Sequence, residues 1–335
     1  MSPATVLDVD GYEVTISNPE KIFFPELGLT KMGLVEYYQA VMPGVLRGCY
    51  ARPTLLKRFP NGASGDFFYQ KRVPESRPDW IKTARVTFPS GRSADFLAPD
   101  NAAQVIWAIN LGCLEMNPWP VRSSDVHHPD EIRLDLDPTP GIPWADVRRI
   151  ALQVKDVLDE HDLAGFPKTS GSRGMHIYAR IETKWDFTEV RRAALGLARE
   201  VVARDARATT AWWKEERHGV FIDYNQNARD RTIASAYSVR PSQDGRVSAP
   251  LKWEEVPRVD PSKHTIKSVP RRFKRIGDPS EGIDDHVGRI DSLLKLADSQ
   301  EEKGAEEAPW PPMFPKQKGE RPRVAPSRAR GKRRK

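Results

Sequence analysis

The chain has 335 residues, 39% hydrophobic and 30% charged, with 53 Lys and Arg against 46 Asp and Glu for a net charge of +7. Such a composition describes a globular core rather than a wholly disordered chain. The first twenty residues hold Asp8, Asp10 and Glu13 and no apolar run, and two cysteines, Cys49 and Cys113, supply neither a disulfide framework nor a structural zinc site. The charge is uneven: residues 316–335 alone carry +9, which leaves residues 1–315 at −2.

In chain order, residues 1–75 mix short apolar segments with turns at Asn18-Pro19, Phe24-Pro25 and Asn61-Gly62, and Thr30 reads as the N-cap of a helix over 31–41. Residues 85–88 and 93–97 predict a hairpin turned at Pro89-Ser90-Gly91. The apolar run 102–114 predicts a core helix, too short to cross a bilayer. Alternation over 131–137 predicts a strand with Ile132, Leu134 and Leu136 on one face. After Pro143, Val147, Ile150, Val154 and Val157 recur at helical spacing. Residues 175–179 read as a strand, and Asp186 with Glu189 as a capping pair opening a helix to Val201. Strands are predicted over 220–224 and 233–239, and a last helix over 284–297. The alternation of strands and helices predicts an α/β sandwich with helices on one sheet face. Residues 299–335, rich in Glu, Lys, Pro and Arg, read as a disordered tail.

Three segments carry chemistry. Asp135 and Asp137 stand two apart on one strand, so both carboxylates leave the same face and call for a cation; Asp223 on a second strand can add a third. The same D-x-D also suits an ordinary strand end, with Asp135 answering Arg133 and Asp137 capping the turn at 138–141. The turn Ser170-Gly171-Ser172-Arg173-Gly174, running into His176, offers close backbone approach and donors for phosphate, or simply a tight hairpin. Asp223 is followed by Gln226 and by Arg229, Arg231 and Arg240, and arginine grips phosphate oxygens bidentately.

Taken together, D-x-D, S-G-x-x-G-x-H, and an Asp with Gln three and Arg seventeen residues later resemble the archaeo-eukaryotic primase superfamily. Within it the chain is similar to the polymerase domain of the bacterial end-joining ligase LigD, in its stand-alone Prim-PolC form, over roughly residues 17–297. The resemblance implies an α/β (α+β) primase core over 1–298. Its parts would be an N-terminal module (1–130), an RRM-like catalytic module (131–256) and a C-terminal extension (257–298), followed by the basic tail (299–335). It implies that Asp135, Asp137 and Asp223 hold two divalent ions, Mn²⁺ or Mg²⁺, with no zinc. It further implies that Lys57, Ser170, Arg173, His176, Gln226 and Arg240 contact an NTP or dNTP, that Asn18, Lys21 and Lys31 hold a downstream DNA 5′-phosphate, and that Phe67 and Phe68 stack on template. Asn117, Ser242 and the register of Arg217 depart from the family pattern.

The implied activity is a primase-polymerase, ribonucleotides preferred, that fills short gaps in DNA repair. It would act as a cytoplasmic, nucleoid-associated monomer with DNA, a DNA ligase and a Ku-like end-binding protein as partners and no membrane. The alternatives are a non-catalytic protein binding DNA ends or single strands, with aromatics such as Trp212 and Trp213 stacking on bases, and a metal-dependent phosphodiesterase.

Overall fold

A computed structural model describes residues 3–316, 319 and 320. The chain opens with two short antiparallel ribbons, β1 (Thr5–Val9) with β2 (Tyr12–Ile16) and β3 (Ile22–Phe24) with β4 (Leu29–Thr30). Helix α1 (Lys31–Ala40) starts where expected, because the Thr30 hydroxyl accepts from the Gly33 N–H. After α2 (Met42–Cys49), a first sheet forms from β5 (Thr54–Arg58), β6 (Phe68–Gln70), β7 (Thr83–Thr87) and β8 (Ser93–Leu97), joined after α3 (Ala102–Asn110) by β9 (Cys113–Pro118). Strand β5 is its hub, pairing with β6, β8 and β9, and β7 with β8 is the expected hairpin.

The second sheet comprises β10 (Glu131–Pro138), β11 (Phe166–Thr169), β12 (Met175–Ile181), β13 (Ala208–Thr209) and β14 (Val220–Asp223), in the order β11-β12-β10-β14-β13. Helices α4 (Trp144–Glu160) and α5 (Phe187–Arg204) cover one face, burying Val147, Ile150, Val154, Val190, Ala194 and Leu197 against Leu134, Leu136 and Ile177. Each valine, leucine or isoleucine among them withdrawn from water contributes about 1.5–3 kcal/mol. The capping box at Asp186 and Glu189 is complete in both directions. The uncovered face of β10 is turned toward the first sheet. Tyr237, Val239, Val247 and Ala249, from the return segment after β14, enter the N-terminal core and tie the halves together.

Four local expectations are corrected. The run 102–114 is not one helix: α3 stops at Asn110, Gly112 takes a positive φ of 83°, and Cys113 and Leu114 begin β9. An unbroken apolar run looks alike as buried helix or buried strand. Residues 233–239 form no strand, because Ser238 N–H turns back to Ser235 O and Tyr237 sits at φ 64°. The last helix, α7 (Asp291–Glu302), starts later and ends later than expected. Ahead of it Val287 and Gly288 form β15, which pairs in parallel with β12. The C-terminal segment is not disordered from 299. Beyond the end of α7, residues 306–310 lie against α5: Glu306 O accepts from Arg199, Ala308 O and Pro309 O accept from Arg191, and Trp310 lies 4.0 Å from the Arg191 guanidinium. Helix α6 (Val269–Ile276) precedes β15. Most of the basic tail, 317–318 and 321–335, lies outside the described residues. No described helix is long and apolar enough to cross a membrane.

Candidate active site

The register across three strands assembles the acidic centre. Asp135 of β10 stands opposite Asp223 of β14 on one side and opposite His176 of β12 on the other, and Asp137 follows two residues on, so all four side chains leave one face. The two ordinary explanations for the D-x-D fail. Arg133 is committed to Glu131, with its Nε 2.5 Å from Oε1, and to Pro118 O, while the turn after β10 is closed by Ile142 N–H on Thr139 O. Burial first, then Asp137 and Asp223, push the Asp135 carboxyl well above its ordinary range, against the pull of Lys168 and Arg240. Asp137 and Asp223 are also raised, each chiefly by desolvation. Asp135 Oδ1 is buried and accepts no hydrogen bond. Gln226 Nε2 donates to Asp223 Oδ2 at 2.8 Å. Among the described residues, no group of three His, Cys, Asp or Glu side chains forms a ready-made metal cage. The acids share a face and lack compensation without being drawn together.

The glycine turn is shaped for close packing. A Cβ on Gly171, at φ 70°, would lie 2.5 Å from Arg240 Cγ, and one on Gly174 would lie 2.4 Å from Leu136 O. Ser170 Oγ accepts from the N–H groups of Ser172 and Gly174, so it organises the turn from inside, whereas Ser172 and Arg173 are exposed. Arg173 draws the Asp137 carboxyl down. His176 is buried, and burial first, then Lys168 and Arg240, push its pKa well below the usual value.

Two buried residues passed over in sequence complete the centre. Glu115 on β9 bridges Lys57 Nζ (2.7 Å) and Arg240 Nη1 (2.9 Å), joining the first sheet to the return segment. Lys168 on β11 faces His176 directly. Glu115 lies in the same Leu114–Pro118 stretch as Asn117, whose Nδ2 donates to Glu115 O. Lys168 adjoins the glycine turn, and that adjacency was the available signal. Arg217 is held by Ala211 O and Trp212 O with its guanidinium 3.5 Å from the Phe221 ring centroid, and it pulls the Asp137 and Asp223 carboxyls down.

A complementary cluster lies at the N-terminal end. Lys31 is buried, donating to Ser17 O and Asn110 O (3.1 Å), and Lys21 Nζ donates to Pro60 O at 2.6 Å. Asn18 takes φ 49° at the turn whose carbonyl accepts from Lys21 N–H. Burial, then Lys21 and Arg58, lower the Lys31 pKa. Among the described residues none of these three cations has an ion-pair partner within 4 Å. The aromatic pair is on the surface: Phe67 and Phe68 are 50% and 45% exposed, Tyr69 beside them 54%, and Lys57 Nζ lies 4.5 Å from the Phe67 ring centroid.

The family described as LigD, primase-polymerase domain, matches residues 30–280. The multifunctional non-homologous end joining DNA repair protein LigD of Mycobacterium tuberculosis is 32% identical over 298 residues, 84% of this chain and 38% of that protein. The bifunctional LigD of Bacillus subtilis is 29% identical, covering 78% of this chain and 42% of its own. The chain thus spans well under half the length of these curated relatives. The solved polymerase domain of Mycobacterium tuberculosis ligase D in complex with DNA superposes with a TM-score of 0.77 at 29% identity, over 82% of this chain and 99% of that one.

Proposed function

The chain belongs to the LigD primase-polymerase domain family, a family of nucleotidyltransferases, and from that premise we propose that it adds nucleotides to a primer 3′-hydroxyl across short DNA gaps bearing a 5′-phosphate. The observation that carries this reading is the face bearing Asp135, Asp137 and Asp223, short of positive charge and bordered by phosphate-binding donors.

The donor set suits a hard divalent cation, Mn²⁺ or Mg²⁺. It consists of carboxylate oxygens, one of them the orphaned Asp135 Oδ1, with the amide Gln226 Oε1 equally unpartnered. Two ions there, when bound, would activate the attacking hydroxyl and offset charge on the departing pyrophosphate. The chain's own groups do the rest. Arg173 on the exposed turn and Arg240 across from it orient the triphosphate, with Lys57 on the side of the aromatic surface. Glu115 holds Lys57 and Arg240 together, one on each carboxylate oxygen. Gln226 steadies Asp223. Phe67 and Phe68, with Tyr69 as a third ring, offer sequence-tolerant stacking for template bases.

Lys21, Lys31 and Arg58 form the inverse of the acidic centre, three cations short of an anion, which is what a 5′-phosphate supplies. Because Lys31 is buried and satisfied, it shapes this pocket, and Lys21 is the cation free to swing from Pro60 O onto phosphate. The end-joining role of the relatives supports sealing of the product by a DNA ligase.

The test is primer extension on a gapped duplex with Mn²⁺ or Mg²⁺ and, separately, NTPs and dNTPs. A lengthened primer is expected. A shortened primer would indicate a phosphodiesterase, and a mobility shift without change in length a binding protein; either overturns the reading. Lys21→Ala should weaken binding to the 5′-phosphorylated gap by about 10-fold and leave the 5′-hydroxyl gap nearly unchanged, the scale of one charge-assisted hydrogen bond.

A further inference from the structure

The segment after α7 is linked to the third carboxylate of the acidic face. Both oxygens of Asp223 are held by the turn that follows it: Oδ1 accepts from Asn225 N–H at 3.0 Å and Oδ2 from Gln226 Nε2 at 2.8 Å. The direction of that carboxylate therefore depends on where the turn 224–227 sits. The turn is tied down on two sides. Asn227 ties it to β10, with Nδ2 donating to Arg133 O at 2.7 Å and Oδ1 accepting from Arg133 N–H at 2.8 Å. Asn225, fully buried, ties it to α5, where Arg191 Nε donates to Asn225 Oδ1 at 2.7 Å.

Arg191 is only 2% exposed, and its partners are neutral. Nη2 donates to Ala308 O at 2.8 Å and to Pro309 O at 3.0 Å, and the guanidinium lies 4.0 Å from the Trp310 ring centroid and 5.2 Å from that of Tyr224. A buried guanidinium is costly unless its donors are satisfied. The carbonyls of 308 and 309, with the Trp310 face, are thus what allow Arg191 to stay buried against Asn225. Pro309 O also lies 3.4 Å from Asn225 Nδ2, so the segment meets the turn directly as well. Farther back it is fastened to α5 by Gln300 Nε2 on Gly196 O at 2.9 Å and by Arg199 on Glu306 O. All of these C-terminal groups lie past residue 280, where the family match ends.

We propose that residues 306–310 are a strap that fixes the turn carrying Asp223, with Trp310, Arg191 and Asn225 as positioning residues for that carboxylate. Its effect on metal binding and nucleotide addition rests on the function proposed above; the coupling of strap to turn does not.

The experiment uses the full chain. Amide hydrogen exchange without metal, read by mass spectrometry, compares a peptide spanning 221–228 with one spanning α3. Trp310→Ala should speed exchange of the first about 10-fold and leave α3 unchanged. Trp310→Phe keeps a ring over Arg191 and should restore most of the protection. A Mn²⁺ titration followed by electron paramagnetic resonance should show affinity lowered about 10-fold in Trp310→Ala and in Asn225→Ala. The double variant should also lose about 10-fold, because both changes cut one chain of contacts. In primer extension, kcat of Trp310→Ala should fall about 10-fold with KM for the nucleotide changed less than about 3-fold. Unchanged exchange of the turn in Trp310→Ala overturns the proposal. So does equal acceleration in α3, which would mark general loosening, or a double variant weakened about 100-fold, which would mark separate effects. If the wild type extends no primer but the turn loosens in Trp310→Ala, the functional reading fails and the coupling of strap to turn stands.

Discussion

Strand β10 carries Glu131, Arg133, Asp135 and Asp137 on one face, and its two ends treat their acids in opposite ways. At the first end, Glu131 is paired with Arg52 at 3.1 Å and with Arg133 and Arg180, while Asp130 takes both terminal guanidinium nitrogens of Arg52 (2.5 and 2.8 Å) and Arg122 Nε (2.8 Å). Burial alone would raise Asp130, but Arg52, Arg180 and Arg122 more than reverse it and hold the carboxyl well below its ordinary range. At the second end, burial raises Asp135, Asp137 and Asp223 together, and repulsion from neighbouring carboxylates adds to it at Asp135 and Asp137. Acidity and burial do not separate a structural carboxylate from a functional one. What separates them is whether the protein supplies the counter-charge itself or leaves it to be bound.

Three experiments bear on this contrast. The largest effect is on activity: Asp137→Ala should cut nucleotide addition about 10³-fold or more, with an unchanged far-UV circular dichroism spectrum. Retained extension would mean that the uncompensated end is not the reacting centre. Next is stability by urea unfolding in EDTA. Glu131→Gln leaves buried guanidinium groups short of a partner and should cost about 3 kcal/mol, whereas Asp135→Asn removes repulsion and should be neutral or stabilising. Equal losses at both ends would erase the distinction.

The smallest effect is the pH dependence of stability without metal. Asp130 and Asp284 have depressed values, so their contribution is full above the ordinary carboxylate pKa of about 4 and is lost as pH falls through their folded values. The raised values of Asp135, Asp137 and Asp223 have the opposite sign: the folded state holds extra protons, and stability declines as pH rises from about 4 toward their folded values. Asp135→Asn should flatten that decline and leave the acid limb intact. An unchanged profile would show that the second end is not under electrostatic strain.

Much of the scaffold was legible because its signals are local. Thr30, the Asp186/Glu189 box and the spacing of Val147, Ile150 and Val154 act within a turn or two of the chain. Strand β9 was not legible, because a run of apolar residues has no period until Gly112 breaks it. The end of the chain misled for another reason: its composition is that of a disordered tail, but Trp310 finds Arg191, 119 positions earlier in the numbering. In the site, the acids and the glycine turn could be picked out in sequence as types at a spacing, whereas Glu115 and Lys168 could not, since each matters only through partners on other strands.

The sequence by itself therefore determined the capped and periodic helices α1, α4 and α5 and that two carboxylates leave one face of a strand, since side-chain alternation and capping depend on near neighbours alone. Only the tertiary structure decided which acids are neutralised. Arg52, some eighty residues before Glu131, reaches the first end of β10, while the register of β12 and β14 sets His176 and Asp223 beside Asp135 and brings no arginine into ion-pair contact with it. Coulomb interactions act over a few ångströms of space rather than positions in sequence, so the counter-charge of a residue is settled by the fold.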